Sequence, residues 1–194
     1  MSSSQKIGLF FGSFNPIHIG HLIIANHILN STDIKKVWFI VSPQNPLKHS
    51  NTLLNEYHRL HLVRLAIEDN SSMAASDVEF KLPRPSYTID TLAYLQEKYP
   101  DHEFSIIMGS DSFQNINKWK NPDQIIANYR IVIYQRLGFV VQDSNPNVVI
   151  LKDTPMLEIS ATAIRELIKK RKSIKYLVPE KSAEEIEVCG YYRK

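Results

Sequence analysis

The chain is almost without cysteine. Cys189 stands alone among 194 residues, which excludes an intrachain disulfide and any zinc site built from several thiolates. One unpaired thiol suits a reducing compartment. Long apolar runs are missing too. No stretch reaches membrane-spanning length, and Met1–Lys6 is short and polar, without the apolar heart of a signal peptide. A soluble cytoplasmic protein with no membrane partner is expected. There is no block of Lys and Arg of the length of a nucleic-acid-binding arm. The densest run, Lys169-Lys170-Arg171-Lys172, follows a helical pattern, where basic residues complement the negative end of the helix dipole, so no nucleic-acid partner is expected. Repeats, low-complexity segments and long linkers are also absent. One domain over 1–194 is expected, and nothing in the sequence sets the oligomeric state, a homo-oligomer included.

What the chain does have is an ordinary globular composition, 43% apolar and 22% charged, with a net charge of +3. That small positive excess would suit a polyanionic small molecule. Short apolar runs at 7–11, 37–41, 104–108, 131–134 and 148–151 read as buried strands, and 73–80 as a less regular one. Helical spacing covers 18–29, 56–67, 88–99, 160–170 and 179–188, the last two forming a small helical part from about 155 to 194. This alternation predicts an α/β fold, a Rossmann-like doubly wound parallel sheet with helices on both faces. Ligands of such sheets sit beyond the carboxyl ends of the strands.

The first strand meets the first helix through Gly12-Ser13-Phe14-Asn15-Pro16-Ile17-His18-Ile19-Gly20-His21. Gly12 permits a turn or close approach of a ligand to the backbone. Pro16 suits a turn rather than a helix interior. His18 and His21, three apart at a helix start, share a face, and Gly20 keeps that face low. A helix N-terminus offers free N–H groups and positive partial charge. Two imidazoles there make a phosphate site; metal binding would need a third ligand that the neighbouring sequence does not supply. Ile159-Ser160-Ala161-Thr162-Ala163-Ile164-Arg165 opens a second helix, with Ser160 as cap and Arg165 offering a planar fork for phosphate oxygens.

Both segments resemble a known family. The first is similar to the Gly-x-Phe-x-Pro-x-His-x-Gly-His motif of the nucleotidyltransferases related to class I aminoacyl-tRNA synthetases, and the second to their Ile-Ser-x-Thr-x-Ile-Arg motif. The resemblance implies that Gly12, Ser13, Phe14, His18, Gly20, His21, Ser160, Thr162 and Arg165 bind ATP, and that His18, His21 and Arg165 are catalytic. Three more stretches resemble the nicotinate and nicotinamide mononucleotide adenylyltransferases: Ser86-Tyr87-Thr88-Ile89-Asp90-Thr91-Leu92, Gly109-Ser110-Asp111-Ser112 followed by Trp119, and the loop Ser42-Pro43-Gln44-Asn45-Pro46-Leu47-Lys48. They imply an acceptor site of Asn45, Lys48, Thr88, Asp111 and Trp119. Bacterial members often read Pro-His-Lys where this chain has Pro46-Leu47-Lys48, and Arg-Pro-Gly where it has Arg136-Leu137-Gly138.

The implied reaction moves AMP from ATP to nicotinate mononucleotide, with Mg²⁺ held mainly by the ATP phosphates rather than by a protein cage. Nicotinamide mononucleotide and phosphopantetheine are the alternative acceptors. A nucleotide sensor without turnover is the alternative from outside enzymes.

Overall fold

The structure is a computed structural model, and it describes residues 4–44, 53–142, 144–155 and 157–193. Six strands form one wholly parallel sheet: β1 (Lys6–Gly12), β2 (Lys36–Val41), β3 (Met73–Ser76), β4 (Glu103–Gly109), β5 (Arg130–Tyr134) and β6 (Val148–Leu151). Their spatial order is β3-β2-β1-β4-β5-β6. β1 and β4 pair side by side, Leu9 opposite Ile106, so the chain changes direction of travel between them. That is the switch point of a doubly wound sheet, where a crevice opens beyond the strand ends. The central residues of the strands are mainly apolar because both faces are covered. Alternate residues serve opposite sides. Phe10, Phe39, Ile107 and Val132 pack beneath α1 (Ile19–Ser31), α2 (Glu56–Ile67), α6 (Ala161–Lys169) and α7 (Glu180–Val188). Leu9, Ile106, Ile131 and Ile133 pack beneath α3 (Thr88–Lys98) and α5 (Pro122–Asn128).

Most expected elements appear within a residue or two of their expected ends. Leu60, Val63 and Ile67 are buried, as the spacing in α2 requires. Two stretches differ. The irregular strand expected over 73–80 stops at Ser76, and a 3-10 turn, Val78–Lys81, takes over. Ser76 Oγ accepts the N–H of Val78 and turns the chain. The segment 110–128, for which no element was expected, forms α4 (Ser110–Phe113) and α5. Pro122 starts α5 with its φ already set.

The last elements close back on the first. Ser182, fully buried in α7, donates its hydroxyl to Leu62 O at 2.9 Å. Tyr191 Oη lies 2.8 Å from His58 Nδ1, and His61 faces Glu185, so these two histidines of α2 anchor the C-terminal region. The N–H of Ile19, at the first turn of α1, donates to Leu177 O at 2.9 Å.

One buried side chain ties the loops at the strand ends. Arg59, on the inward face of α2, has no exposed surface. Its guanidinium donates to four carbonyls: Leu54 at 2.7 Å, Ser13 at 2.5 Å, Ser42 at 2.8 Å and Pro43 at 2.9 Å. These belong to the loop after β1, the loop after β2 and the entry to α2. Burial pulls the guanidinium down to about 10, still far above neutral pH, so it stays charged. Replacing it strands several buried acceptors at about 1–3 kcal/mol each. Arg59→Met is expected to cost on the order of 3–5 kcal/mol, or about 10 °C or more in Tm for a chain of this size. Arg59→Lys, with the charge but not the planar fork, should fall between. Thermal unfolding followed by circular dichroism measures both; a wild-type Tm in Arg59→Met would dismiss the clamp.

Candidate active site

Past β1 the chain must reverse to start α1, and the turn is packed rather than open. Phe14 adopts a left-handed backbone, φ 43°, and its ring folds back over Gly12. A Cβ on Gly12 would lie 2.8 Å from that ring, which is why the position takes glycine. Phe14 is only 2% exposed. Phe14 is among the residues expected to bind ATP; its ring is a core group, lying edge-on to His21 with centroids 5.1 Å apart. It steers the imidazole.

His18 caps α1 in an extended conformation. Its N–H donates to His21 Nδ1 at 3.2 Å, and the two rings stack with centroids 3.6 Å apart. Gly20 makes the stack fit: a Cβ there would press on His18 Nδ1 at 3.1 Å. His18 is 5% exposed, and its Nδ1 is buried without a hydrogen-bond partner. Burial, helped by the nearby Arg136 cation, pulls the His18 imidazole down to about 4. Burial, His18 and Arg136 hold His21 well below the usual histidine range. Both rings are neutral at physiological pH. Because His21 Nδ1 accepts a hydrogen bond, its proton sits on Nε2, a neutral donor.

These rings line a cleft of about 380 Å³ with Gly20, Arg136, Glu158 and Ser160. The N-terminus of α6 forms the opposite wall, and Ile159 lies 3.8 Å from where a Gly20 Cβ would be. Ser160 caps α6 as its sequence suggests, accepting the N–H of Ala163 at 3.1 Å. Arg165 and Thr162 do not line this cleft. Arg165 donates to Asn15 O at 2.8 Å and to Thr162 Oγ1 at 3.2 Å, which fastens α6 to the turn that carries the histidines. Ser13 contributes its carbonyl to Arg59.

A second cleft, about 410 Å³, lies across Tyr134, whose ring lines both. Gly12, Thr88 and Trp119 border it, so the structure brings together two of the expected acceptor residues. Thr88 is the first residue of α3, which turns the positive end of that helix toward the cleft. Asp111 lies outside the second cleft and pairs with Arg136 at 3.1 Å. Asn45 and Lys48 lie outside the described residues. Two groups that the sequence reading passed over also belong here. Glu79, 2% exposed, lines the second cleft and accepts Ser86 Oγ at 2.9 Å and Thr91 Oγ1 at 3.0 Å; burial pushes its carboxyl up. Arg136 borders the first cleft.

The model of the cytidylyltransferase-like family matches residues 9–167. The chain belongs to that family. The matched stretch begins within β1 and ends within α6, so it takes in both helix N-termini. Among curated cytidylyltransferase-like relatives, the probable nicotinate-nucleotide adenylyltransferase of Flavobacterium psychrophilum is 50% identical over 193 residues, 98% of this chain and 100% of the relative. That of Bacteroides thetaiotaomicron is 44% identical over 181 residues, 93% and 90% of the two chains. Among solved structures, the Plasmodium falciparum nicotinic acid mononucleotide adenylyltransferase complexed with NaAD superposes with a TM-score of 0.79 at 20% identity, over 97% of each chain. At that identity the likeness shows the fold.

The neutral histidines predict an acid-side loss of stability. A buried histidine with a lowered pKa binds fewer protons folded than unfolded, so its contribution is constant above about pH 7. It is lost as pH falls from about 6.5, the unfolded value, toward about 4, where folded His18 takes its proton. At pH 5 the loss from His18 should be on the order of 1–2 kcal/mol. Urea unfolding at pH 7 and pH 5 should show that difference in wild type and a smaller one in His18→Gln. An equal acid loss in both proteins would refute the assignment.

Proposed function

We propose that this chain transfers the AMP group of ATP to nicotinate mononucleotide, giving nicotinate adenine dinucleotide and pyrophosphate. The observation that carries the reading is the pair of clefts meeting at Tyr134. One is lined by two neutral imidazole donors and a capped helix N-terminus, suited to a triphosphate. The other is lined by Trp119 and the N-terminus of α3, suited to an aromatic ring bearing an anion. The names of relatives that span the whole chain support the same activity.

The nucleophile is the acceptor's 5′-phosphate. Its second pKa is about 6, so it arrives ionised and needs no general base. It attacks the α-phosphorus in line, and the bond to the β-phosphate oxygen breaks as pyrophosphate leaves. Acceleration comes from alignment and from donors aimed at the charge that develops on the transferring group. His18 and His21 offer N–H groups without a charge that would bind the ground state equally well. Ser160 meets the leaving pyrophosphate at the start of α6, and Thr162 and Arg165 join it by exchanging their present contacts with Asn15 and each other for phosphate oxygens. Magnesium, carried mainly by the ATP phosphates, would supply further neutralisation. Thr154, Glu158 and Ser160 give the cleft the oxygen donors that this ion favours. Thr88 and Trp119 hold the acceptor in the second cleft; Asn45, Lys48 and Asp111, the last set outside that cleft, complete the acceptor set that the sequence resemblance implies. The whole of 1–194 acts as one nucleotidyltransferase domain. Among the described residues no helix is long and apolar enough to cross a membrane, and the reading places the enzyme in the cytoplasm.

Purified protein with ATP, Mg²⁺ and a panel of phosphorylated acceptors, assayed for pyrophosphate, tests this directly. Nicotinate mononucleotide should exceed nicotinamide mononucleotide in kcat/KM by about tenfold or more, because an amide NH₂ facing backbone donors loses about 1–3 kcal/mol. Phosphopantetheine should release none. Equal rates with the two mononucleotides would remove the nicotinate assignment, and no turnover with any acceptor would favour a sensor.

Single replacements test the named roles. His18→Ala should lower kcat by about 10²–10³ with a smaller effect on ATP binding; a near-normal kcat would take it out of the reaction. Trp119→Ala should raise KM for both mononucleotides and leave their ratio intact, since stacking does not distinguish carboxylate from amide. A collapsed ratio would assign the choice to the ring.

A further inference from the structure

The second cleft contains a carboxylate in its lining. Glu79 lies in the 3-10 turn Val78–Lys81, borders the cleft with Thr88 and Trp119, and is the only acidic side chain among the described residues that do so. An open carboxylate is a poor neighbour for an anionic ring. The lone pairs of Glu79, however, are taken. Ser86 Oγ donates to Oε2 at 2.9 Å, and Thr91 Oγ1 donates to Oε1 at 3.0 Å. Both donors are buried, Thr91 with no exposed surface. The Ser42 side chain hydrogen-bonds the same carboxyl. Acceptance at both oxygens is the pattern of the ionised form, because a protonated carboxyl would donate from one of them. The lysines that line the cleft bond elsewhere, Lys118 to Asn115 Oδ1 at 2.7 Å and Lys120 to Asp90 Oδ2 at 2.9 Å. Among the described residues, then, hydroxyl dipoles rather than a cation meet the Glu79 charge.

We propose that the hydroxyls of Ser42, Ser86 and Thr91 mask the Glu79 carboxylate, and that this mask sets the acceptor choice of the second cleft: masked, it takes a ring bearing a carboxylate; unmasked, it takes one bearing a carboxamide. This inference rests on the activity proposed above. The start of α3 has no side-chain cap, so its free N–H groups and positive end favour an anion. A resident carboxylate with open lone pairs would compete for that place. It would repel the carboxylate of a nicotinate ring and accept the N–H of a nicotinamide ring. With each oxygen facing a hydroxyl proton, the amide finds no acceptor, and the positive ends of the O–H dipoles offset the charge. Glu79 is thus a specificity-determining residue whose effect is set by its partners. Ser42 and Ser86 line the cleft beside it; Thr91 does not, and acts only through Glu79.

The test is kcat/KM for nicotinate mononucleotide and for nicotinamide mononucleotide at saturating ATP and Mg²⁺, at about pH 8.5, alkaline enough to keep the carboxyl ionised once a hydroxyl is gone. Ser86→Ala should lower the nicotinate-to-nicotinamide ratio by about tenfold, the weight of one hydrogen bond to a charged group. Thr91→Val keeps the shape without the hydroxyl and should lower the ratio in the same direction; it carries the test if Ser86→Ala does not fold. Glu79→Gln removes the charge and should leave the ratio at or above the wild-type value. The diagnostic protein combines Ser86→Ala with Glu79→Gln. Its ratio should return to within about threefold of wild type, although two contacts are altered instead of one. A merely structural contact would depress both acceptors together, leave the ratio intact and worsen with the second replacement. A ratio unmoved by Ser86→Ala and Thr91→Val, or not restored in the double variant, would overturn the proposal. A wild type that turns over neither mononucleotide, or does not favour nicotinate, would overturn the proposed activity on which it stands.

Discussion

A single buried guanidinium organises the ligand-facing rim. Arg59 spends its hydrogen bonds on backbone carbonyls, drawing together the turn after β1, the loop after β2 and the entry to α2. Backbone acceptors in such loops would otherwise need water or regular structure. With them satisfied from inside, the Phe14 turn can pack tightly enough to stack two imidazoles, and the loop after β2 can lie along the second cleft. The positions of His18, Gly12 and Ser42 are consequences of that internal anchor as much as of their own chemistry.

A second constraint is electrostatic. A phosphate site made only from cations would bind ATP strongly before reaction, and strong ground-state binding does not accelerate the chemical step. Here burial keeps both histidines uncharged, so under the proposed function the cleft relies on oriented donors: imidazole N–H groups and helix N-termini. The arginines in and around it are held by protein groups. Arg165 is on Asn15 and Thr162, Arg136 is on Asp111, and Arg59 is sealed within the core. The local potential is set by geometry, which a change of a few tenths of an ångström at Phe14 or Gly20 would disturb.

Much of this was legible in the chain itself. The parallel sheet followed from short apolar runs alternating with helical spacing, and the His18-Gly20-His21 and Ser160 clusters from residue types that make sense only at helix starts. The missing parts share a cause: they depend on contacts between segments distant in sequence. Arg59 sits on the apolar face of α2, in step with Leu62 and Val63. That misplaced charge was a readable sign of a buried partner, though nothing local named four carbonyls as its partners. Glu79 gave no sign, because its hydroxyl donors lie 7 and 12 residues further on. Phe14 resembles a ligand contact by motif, while its ring is packed in the core, a placement set by its left-handed turn. Arg165 was legible as a cation at a helix start, while its hold on Asn15, 150 residues away, was not.

The closure of the C-terminal part onto the beginning of the chain bears on how the protein is made. The first turn of α1 is completed by the carbonyl of Leu177, and α2 is covered by Ser182 and the residues around Tyr191. During synthesis the histidine turn emerges early, yet its backing arrives with the final residues. A nascent chain that has not yet made the stretch 177–191 carries the histidine turn without the support that orders it, and it exposes the apolar face of α2 to other nascent chains. A chain lacking Leu177 and the residues after it therefore loses the backing of both α1 and α2, and is expected to be captured by chaperones and proteases rather than to act as a weak enzyme.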